Sequence, residues 1–171
     1  MADLAETPAD GGLVDETFDG LRIAAEPWRP LASIQPFRGR RPEVEAALGA
    51  RLPDPGRRSD AALHIALDQW LVEGDAAALS DSLSGLAAVT DQSDAWSFWR
   101  LSGADPRPAV ARLAPFDPAD PRYADGASLR SQLARHPGLV VIEPGARAIR
   151  LACPRSYAAS FARALREAAL A

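Results

Sequence analysis

The sequence has few of the side chains that metal and redox sites require. It contains one cysteine, Cys153, and two histidines, His64 and His136. A single cysteine excludes an internal disulfide and a cysteine-rich metal site, and the two histidines do not form a zinc-binding His-x-x-x-His motif. Because Cys153 alternates with Ile149 and Leu151 in a predicted strand, we expect it to be a buried apolar residue.

Lysine is absent, so all 19 basic residues are arginines. A coding bias toward GC-rich codons explains this and the abundance of alanine. The functional alternative is arginine contact with carboxylates or phosphates, which the planar guanidinium binds through paired hydrogen bonds. Residues 1–21 hold six of the 23 acids and no base, which leaves 17 acids against 19 arginines in the rest of the chain. This near balance disfavours a nucleic-acid binder, which concentrates positive charge.

Long apolar runs are also missing. None approaches the ~20 residues that span a bilayer, and the acidic N-terminus lacks the basic and apolar regions of a secretory signal. We therefore expect a cytoplasmic protein. We also expect residues 1–19, where Pro8, Gly11 and Gly12 lie among acids, to form a disordered acidic tail. Residues 20–171 have the length of one domain.

Signatures of catalysis and phosphate binding are absent as well. The sequence has no glycine-rich phosphate loop and no local signature of a serine or cysteine nucleophile. The segment Ser102-Gly103-Ala104-Asp105 precedes a predicted helix, whose free N–H groups are able to hold an anion. We expect Ser102 or Asp105 to cap that helix instead. The sequence thus predicts no catalytic, cofactor-binding or metal-binding residue in this chain.

Apolar periodicity predicts strand pairs that alternate with helices. The rhythm is strand, strand, helix, repeated about four times, without the helical crossover between every strand that a parallel sheet needs. The predicted fold class is therefore α+β, with an antiparallel or mixed sheet. The principal predicted strands cover 21–25, 31–35, 61–67, 95–101, 128–134 and 139–142, and one predicted helix covers 106–114.

The strand predicted over 95–101 carries large apolar side chains on both faces. Trp96 and Phe98 share one face, and Trp99 and Leu101 share the other. Such a strand is either covered on both sides by its own chain or buried partly by another subunit, where tryptophan and arginine are enriched. The residues that we predict to have interface or structural roles are Trp96, Trp99, Arg100, Arg155 and Tyr157.

Five short segments, in order along the chain, carry a family resemblance. They are Leu67-Asp68-Gln69-Trp70-Leu71-Val72, Val89-Thr90-Asp91-Gln92-Ser93, Arg100-Leu101-Ser102-Gly103, Pro115-Phe116-Asp117-Pro118 and Arg155-Ser156-Tyr157-Ala158. Together they resemble the gamma subunit of heterotetrameric sarcosine oxidase, and the resemblance covers nearly everything outside the tail. One segment departs from that family, because Ser128-Leu129-Arg130-Ser131 stands where the family has Cys-Ala-Gln-Thr. The chain therefore resembles a divergent member, and a complex acting on another N-methyl amino acid is one alternative.

The resemblance implies an aminomethyltransferase-like, folate-binding-domain α+β fold and a role in one-carbon metabolism. It implies a non-catalytic accessory subunit of a flavoenzyme that oxidatively demethylates sarcosine and passes the methyl group to tetrahydrofolate on a partner. The implied partners are alpha, beta and delta subunits, which hold FAD, FMN, NAD, tetrahydrofolate and zinc, with no cofactor in this chain. The alternative is a stand-alone folate-binding or folate-dependent aminomethyltransferase-like protein, which needs a cavity lined by an acid, aromatics and an arginine.

Overall fold

The computed structural model describes residues 12–171, which form ten strands and four α-helices. The elements build four layers, in the order helices, larger sheet, smaller sheet, helices. The strands are β1 Asp15–Phe18, β2 Leu21–Ala25, β3 Leu31–Pro36, β4 Ala62–Ala66, β5 Gln69–Glu73, β6 Ala87–Asp91, β7 Trp96–Gly103, β8 Ala127–Leu133, β9 His136–Ile142 and β10 Ala148–Pro154. The helices are α1 Arg41–Leu48, α2 Ala76–Ser82, α3 Arg107–Leu113 and α4 Ala158–Leu170.

The larger sheet has six strands in the order β1-β2-β7-β10-β9-β8, and all neighbours are antiparallel. Its outer face packs against α3 and α4. Alternation along β10 turns Ile149, Leu151 and Cys153 toward these helices, where Phe161 and Leu165 of α4 complete the core. The expectation that Cys153 is a buried apolar residue is confirmed.

The smaller sheet has four antiparallel strands in the order β4-β5-β3-β6. Its outer face packs against α1 and α2 through a core that includes Ile34, Trp70 and Leu83. The Trp70 indole N–H donates to the Pro53 carbonyl at 2.8 Å, so this ring is buried without losing its hydrogen bond. The Asp75 carboxylate accepts from the backbone N–H of residue 78 and caps α2.

A third apolar core lies between the two sheets. Leu31 and Leu71 of the smaller sheet meet Phe98 and Val141 of the larger sheet. β7 therefore has a covered face on each side, since Phe98 enters this core and Trp99 enters the helix-side core. The α+β class with antiparallel sheets is confirmed, because two antiparallel sheets are packed with helices at both outer faces.

The first strand corrects the prediction of a disordered tail over residues 1–19. Asp15–Phe18 pairs with β2, and Leu13 is fully buried. The carboxylate of Glu16 bonds Arg166 of α4, and that of Asp15 bonds Arg22. Acidic residues that indicate disorder when read locally are here paired with arginines of other elements. Residues 1–11 of the predicted tail lie outside the described residues.

Two local differences follow from turn geometry. The prediction of one strand over 61–67 runs too far, because Asp68 turns the chain at φ 51° into a hairpin and leaves Leu67 exposed. At the start of α3, the Asp105 carboxylate accepts from the Arg107 N–H at 3.0 Å. Gly103 adopts φ 91°, and an added Cβ would collide with the carbonyl oxygen of Gly20 in the turn between β1 and β2. The anion-binding alternative at this turn is therefore not favoured.

Candidate partner interface

Four side chains form a patch where β7 begins. We define the tryptophan patch as Trp28, Asp94, Trp96 and Arg155. The Trp28 indole N–H donates to Asp94 Oδ1 at 3.3 Å, and Arg155 Nη1 donates to the same oxygen at 3.1 Å. The backbone N–H of Arg155 donates to the carbonyl of Ala95, the residue that precedes β7, so the arginine lies beside the start of the strand. Trp28 is 65% exposed, an unusual state for so large an apolar side chain.

Two loops hold the patch in place. The loop that joins β2 to β3 carries Trp28 between Pro27 and Pro30, which restrict the backbone on both sides. The loop that joins β6 to β7 is tied by Ser93, whose hydroxyl donates to Asp91 Oδ1 at 2.6 Å and accepts from the Leu31 N–H at 3.1 Å. The backbone of both loops is therefore restrained at the residues that carry the patch, Trp28 and Asp94.

Beneath the patch lies a cavity of about 40 Å³. Two hydrogen-bonding groups that line it, Trp96 Nε1 and Ser97 Oγ, are buried and have no hydrogen-bond partner among residues 12–171. A buried unsatisfied donor costs about 1–3 kcal/mol. The cavity exceeds the roughly 10–15 Å³ that one water needs, so a water there is able to remove part of that cost. The cavity is lined by Ala25, Glu26, Pro27, Trp28, Arg29, Leu31, Ser93, Trp96, Ser97 and Phe98.

Glu26 supplies the charge balance behind the patch. Its side chain is 12% exposed and bridges two arginines, with Arg150 Nε at 2.6 Å and Arg29 Nη1 at 2.8 Å. Burial acts to raise the pKa of Glu26, but the hydrogen bonds and positive charges of Arg150 and Arg29 outweigh it and hold the pKa below the ordinary glutamate value. Glu26 is therefore a charged, structural carboxylate at neutral pH.

The structure separates the five predicted residues. Trp96 and Arg155 lie together in the tryptophan patch, and Tyr157 is exposed at the end of the short 3-10 helix Arg155–Tyr157. Arg100 lies four residues along β7 from Trp96, a span of about 13 Å at the rise of a strand. It forms an ion pair with Glu143 at 3.1 Å on the exposed surface.

Trp99 does not belong to any surface. It is fully buried, its indole N–H donates to the Leu13 carbonyl at 3.1 Å, and its ring packs edge-on against Phe161 at 5.4 Å. The prediction left the role of Trp99 open between interface and structure, and its position is a structural one, because strand alternation turns it toward the helices. The prediction did not include Trp28 or Asp94. A tryptophan confined between prolines was the available signal for Trp28.

The described residues offer little catalytic chemistry. Among residues 12–171, no group of three His, Cys, Asp or Glu side chains is placed to hold a metal ion. Burial raises the pKa of the Cys153 thiol to about 12, so it stays protonated and is a poor nucleophile. Burial lowers the pKa of His64, whose Nδ1 accepts from the Gly56 N–H at 3.3 Å. No helix in this part of the chain is long and apolar enough to cross a membrane.

Comparison with known proteins gives a structural likeness but no match in sequence. No family model and no curated protein matches the chain. It resembles a chain of the heterotetrameric sarcosine oxidase from Corynebacterium sp. U-96, solved in complex with pyrrole 2-carboxylate. The TM-score is 0.78 and the identity 19%, over 94% of this chain and 89% of that chain. The fold is that of a sarcosine oxidase chain.

Two aspartate kinase structures align less well than this sarcosine oxidase chain. Aspartokinase III from E. coli, in complex with aspartate and ADP, gives a TM-score of 0.45 at 13% identity, over 90% of this chain and 34% of that one. The regulatory subunit of aspartate kinase from Thermus thermophilus gives 0.43 at 16% identity, over 85% and 96%. Scores this low support no conclusion about the protein.

Proposed function

We propose that this chain is a non-catalytic accessory subunit of a heteromeric, sarcosine oxidase-like flavoenzyme. The observation that carries the proposal is the tryptophan patch, in which the exposed Trp28 shares Asp94 with Arg155. Tryptophan and arginine are enriched where subunits meet. The sarcosine oxidase fold supports a partner of the kind found in a heterotetramer.

The reaction proposed for the whole complex is oxidative demethylation of sarcosine or a related N-methyl amino acid. The methyl group is transferred to tetrahydrofolate on a partner subunit, in cytoplasmic one-carbon metabolism. In this proposal the partners correspond to alpha, beta and delta subunits. The role of this chain in the proposal is to bind and orient its partner through the patch.

The cofactors of such an enzyme fit the partners better than this chain. Structural and catalytic zinc takes three or four protein ligands, and no such group converges among residues 12–171. A flavin or dinucleotide fills a cavity of several hundred Å³. The cavity beneath the tryptophan patch, at about 40 Å³, is too small, and the groove beside α1, at about 350 Å³, is at the lower end of that range. We therefore assign FAD, FMN, NAD and zinc to partner subunits.

Co-expression with the products of the adjacent genes tests the assembly. We expect the chain to co-purify with a flavin-containing protein and to elute with it in size-exclusion chromatography. Trp28→Ala removes an exposed ring from the patch and is expected to weaken association at least tenfold. Leu170→Ala removes an exposed apolar side chain at the end of α4, outside both candidate sites, and serves as the control. A chain that stays monomeric beside every flavoprotein of its neighbourhood contradicts the proposal.

A second candidate function is folate binding by this chain itself. A groove of about 350 Å³ beside α1 contains the side-chain types that a folate needs. Asp68 provides a carboxylate, Phe37 provides aromatic surface, and the Arg41 guanidinium carbon lies 5.1 Å from the centre of the buried Trp70 ring. An arginine here is able to bind the glutamate tail of folate. The groove is lined by Gln35, Pro36, Phe37, Arg38, Gly39, Arg41, Asp68 and Trp70.

Titration of the isolated chain with tetrahydrofolate distinguishes the two candidates. Trp70 lines the groove, so saturable quenching of tryptophan fluorescence at micromolar ligand supports folate binding. Arg38→Gln is expected to weaken that binding, while Arg130→Gln on β8 leaves it unchanged. No fluorescence response at micromolar ligand excludes this second candidate and leaves the accessory-subunit proposal untouched.

A further inference from the structure

Three guanidinium groups meet at the open end of the core between the two sheets. Arg29, Arg58 and Arg150 line a cavity of about 40 Å³, separate from the cavity beneath the tryptophan patch. Its floor is apolar, because it also includes Leu63 and Phe98 of the inter-sheet core. Converging arginines over an apolar floor are a recurrent arrangement for binding an anion.

Phe98 holds two of the arginines in place. The guanidinium carbons of Arg29 and Arg150 lie 5.0 Å and 5.4 Å from the centre of its ring, within the range of a cation–π contact. Glu26 binds both guanidiniums from the other side. These two cations are therefore fixed before any ligand arrives.

The carboxylates around the cavity differ in how firmly they are held. Glu26 is 12% exposed and bonds two arginines, so a ligand is not expected to displace it. Glu73, at 66% exposed, lies 2.7 Å from Arg29 Nε, and the fully exposed Asp60 lies 3.1 Å from Arg58 Nη2. Ion pairs to exposed carboxylates contribute little stability. An incoming carboxylate is able to displace these two at small cost.

Arg58 has an unused donor. Its Nε atom is buried and has no hydrogen-bond partner among residues 12–171, whereas its Nη2 donates to Asp60. The Nε and Nη2 edge of a guanidinium binds both oxygens of a carboxylate through two parallel hydrogen bonds. A ligand carboxylate that binds this edge replaces Asp60 on Nη2 and reaches Nε when the side chains that bury it move aside.

The size of the cavity limits the ligand. A volume of about 40 Å³ exceeds the roughly 10–15 Å³ needed by one water, and it is far below the several hundred Å³ of a site that encloses a whole cofactor. We propose that this cavity is a binding site for the carboxylate group of a small organic acid, held by Arg58 with Arg29 and Arg150 beside it. The rest of the acid extends into solvent.

Titration of the full chain with sodium acetate, at ionic strength held constant with sodium chloride, tests this site. We would follow the arginine Nε–Hε signals by NMR. One signal is expected to shift and saturate with acetate, and the same signal is expected to be lost in Arg58→Lys. Arg58→Gln should weaken acetate binding at least tenfold. Arg163→Gln, which changes an exposed arginine of α4 in the opposite outer layer, is the matched control and should bind as the wild type does.

A variant that is expected to strengthen acetate binding completes the test. Asp60→Asn removes the competing exposed carboxylate and leaves every cavity arginine in place, so it should tighten acetate binding severalfold. Because residue 60 is fully exposed, this variant is expected to fold even if Arg58→Gln does not. The proposal is overturned if acetate and chloride shift the arginine signals alike, or if Asp60→Asn binds acetate no more tightly than the wild type.

Discussion

The two faces of β7 are covered in different ways. The face that carries Trp99 is closed by α3 and α4, and its indole N–H has a backbone acceptor. The face that carries Trp96 and Phe98 is closed by the smaller sheet only in part, and the Trp96 indole N–H has no acceptor among the described residues. One face of β7 is thus fully buried by its own chain, and the other face is only partly buried. We therefore expect the Trp99 face to determine the stability of the chain and the Trp96 face to determine its binding of a partner.

The closed face should respond most strongly to truncation. Trp99→Ala removes a fully buried ring and leaves a cavity against Phe161. We expect the free energy of unfolding to fall by about 3–5 kcal/mol, measured by urea denaturation. Trp28→Ala is the matched control on the surface. If truncation at residue 99 costs less than about 1 kcal/mol, the helix-side core is not closed as described.

Loss of the Glu26 carboxylate, behind the face of β7 that carries Trp96, should lower the free energy of unfolding by a smaller, pH-dependent amount. Glu26→Gln leaves Arg150 and Arg29 without their shared carboxylate, and we expect a loss of about 2–3 kcal/mol at pH 7. The pKa of Glu26 is lowered in the folded protein. Its contribution is therefore complete above the ordinary value of 4.5 and is lost as pH falls below it, through the lowered folded value.

Urea denaturation of wild type and Glu26→Gln between pH 7 and pH 3 measures this contribution. The difference between the two proteins should shrink as the medium becomes acidic. Glu167→Gln on the exposed side of α4 is the control and should follow the wild type at each pH. A difference that stays constant down to pH 3 would show that the pKa of Glu26 is not the cause.

At the open face, removal of the unpaired donor should change stability very little. Trp96→Phe deletes a buried N–H that has no partner, so the relief of its unsatisfied cost offsets part of the lost packing. We expect the free energy of unfolding of the isolated chain to change by less than about 1 kcal/mol. Association with the proposed partner should weaken several-fold, as measured by calorimetric titration. A large loss of stability with unchanged association would reverse the roles of the two faces.

The smallest effect on stability is expected at the exposed edge of the open face. Trp28→Ala removes a ring that is mostly in solvent, so stability should change by less than about 0.5 kcal/mol. In the wild type, acrylamide should quench the fluorescence of Trp28 in the free chain and quench it less in the complex. Equal quenching in both states would mean that the partner does not cover the tryptophan patch.

Sequence patterns predicted where strands and helices lie along the chain better than they predicted which elements pack together. Alternation placed Cys153 in a buried strand, and the proline before α3 marked a real helix start. The acidic segment before β2 was wrongly predicted to be disordered, because its stabilising partner Arg166 lies 150 residues from Glu16. Composition within a short window carries no information about a partner so distant.

The same limit applies to the candidate interface. A strand with aromatic side chains on both faces was recognised, but the pattern does not tell which face another element of the chain will cover. That depended on Phe161 packing on Trp99. The link between Trp28 and Asp94 joins residues 66 positions apart. Trp28 and Asp94 form one patch only because the two sheets bring their loops together, and the sequence alone does not show this.

The hydrogen bond between Trp28 and Asp94 also lies where the chain changes sheets. In the described residues, the chain leaves the larger sheet after β2 and returns to it at β7, so the whole smaller sheet, residues 31–91, is one continuous insertion. Both ends of that insertion pass through the tryptophan patch. A protein bound there would clamp the two ends together and restrict the local opening of every strand between them. Hydrogen exchange in the smaller sheet would then report an event at a surface that most of its strands never touch.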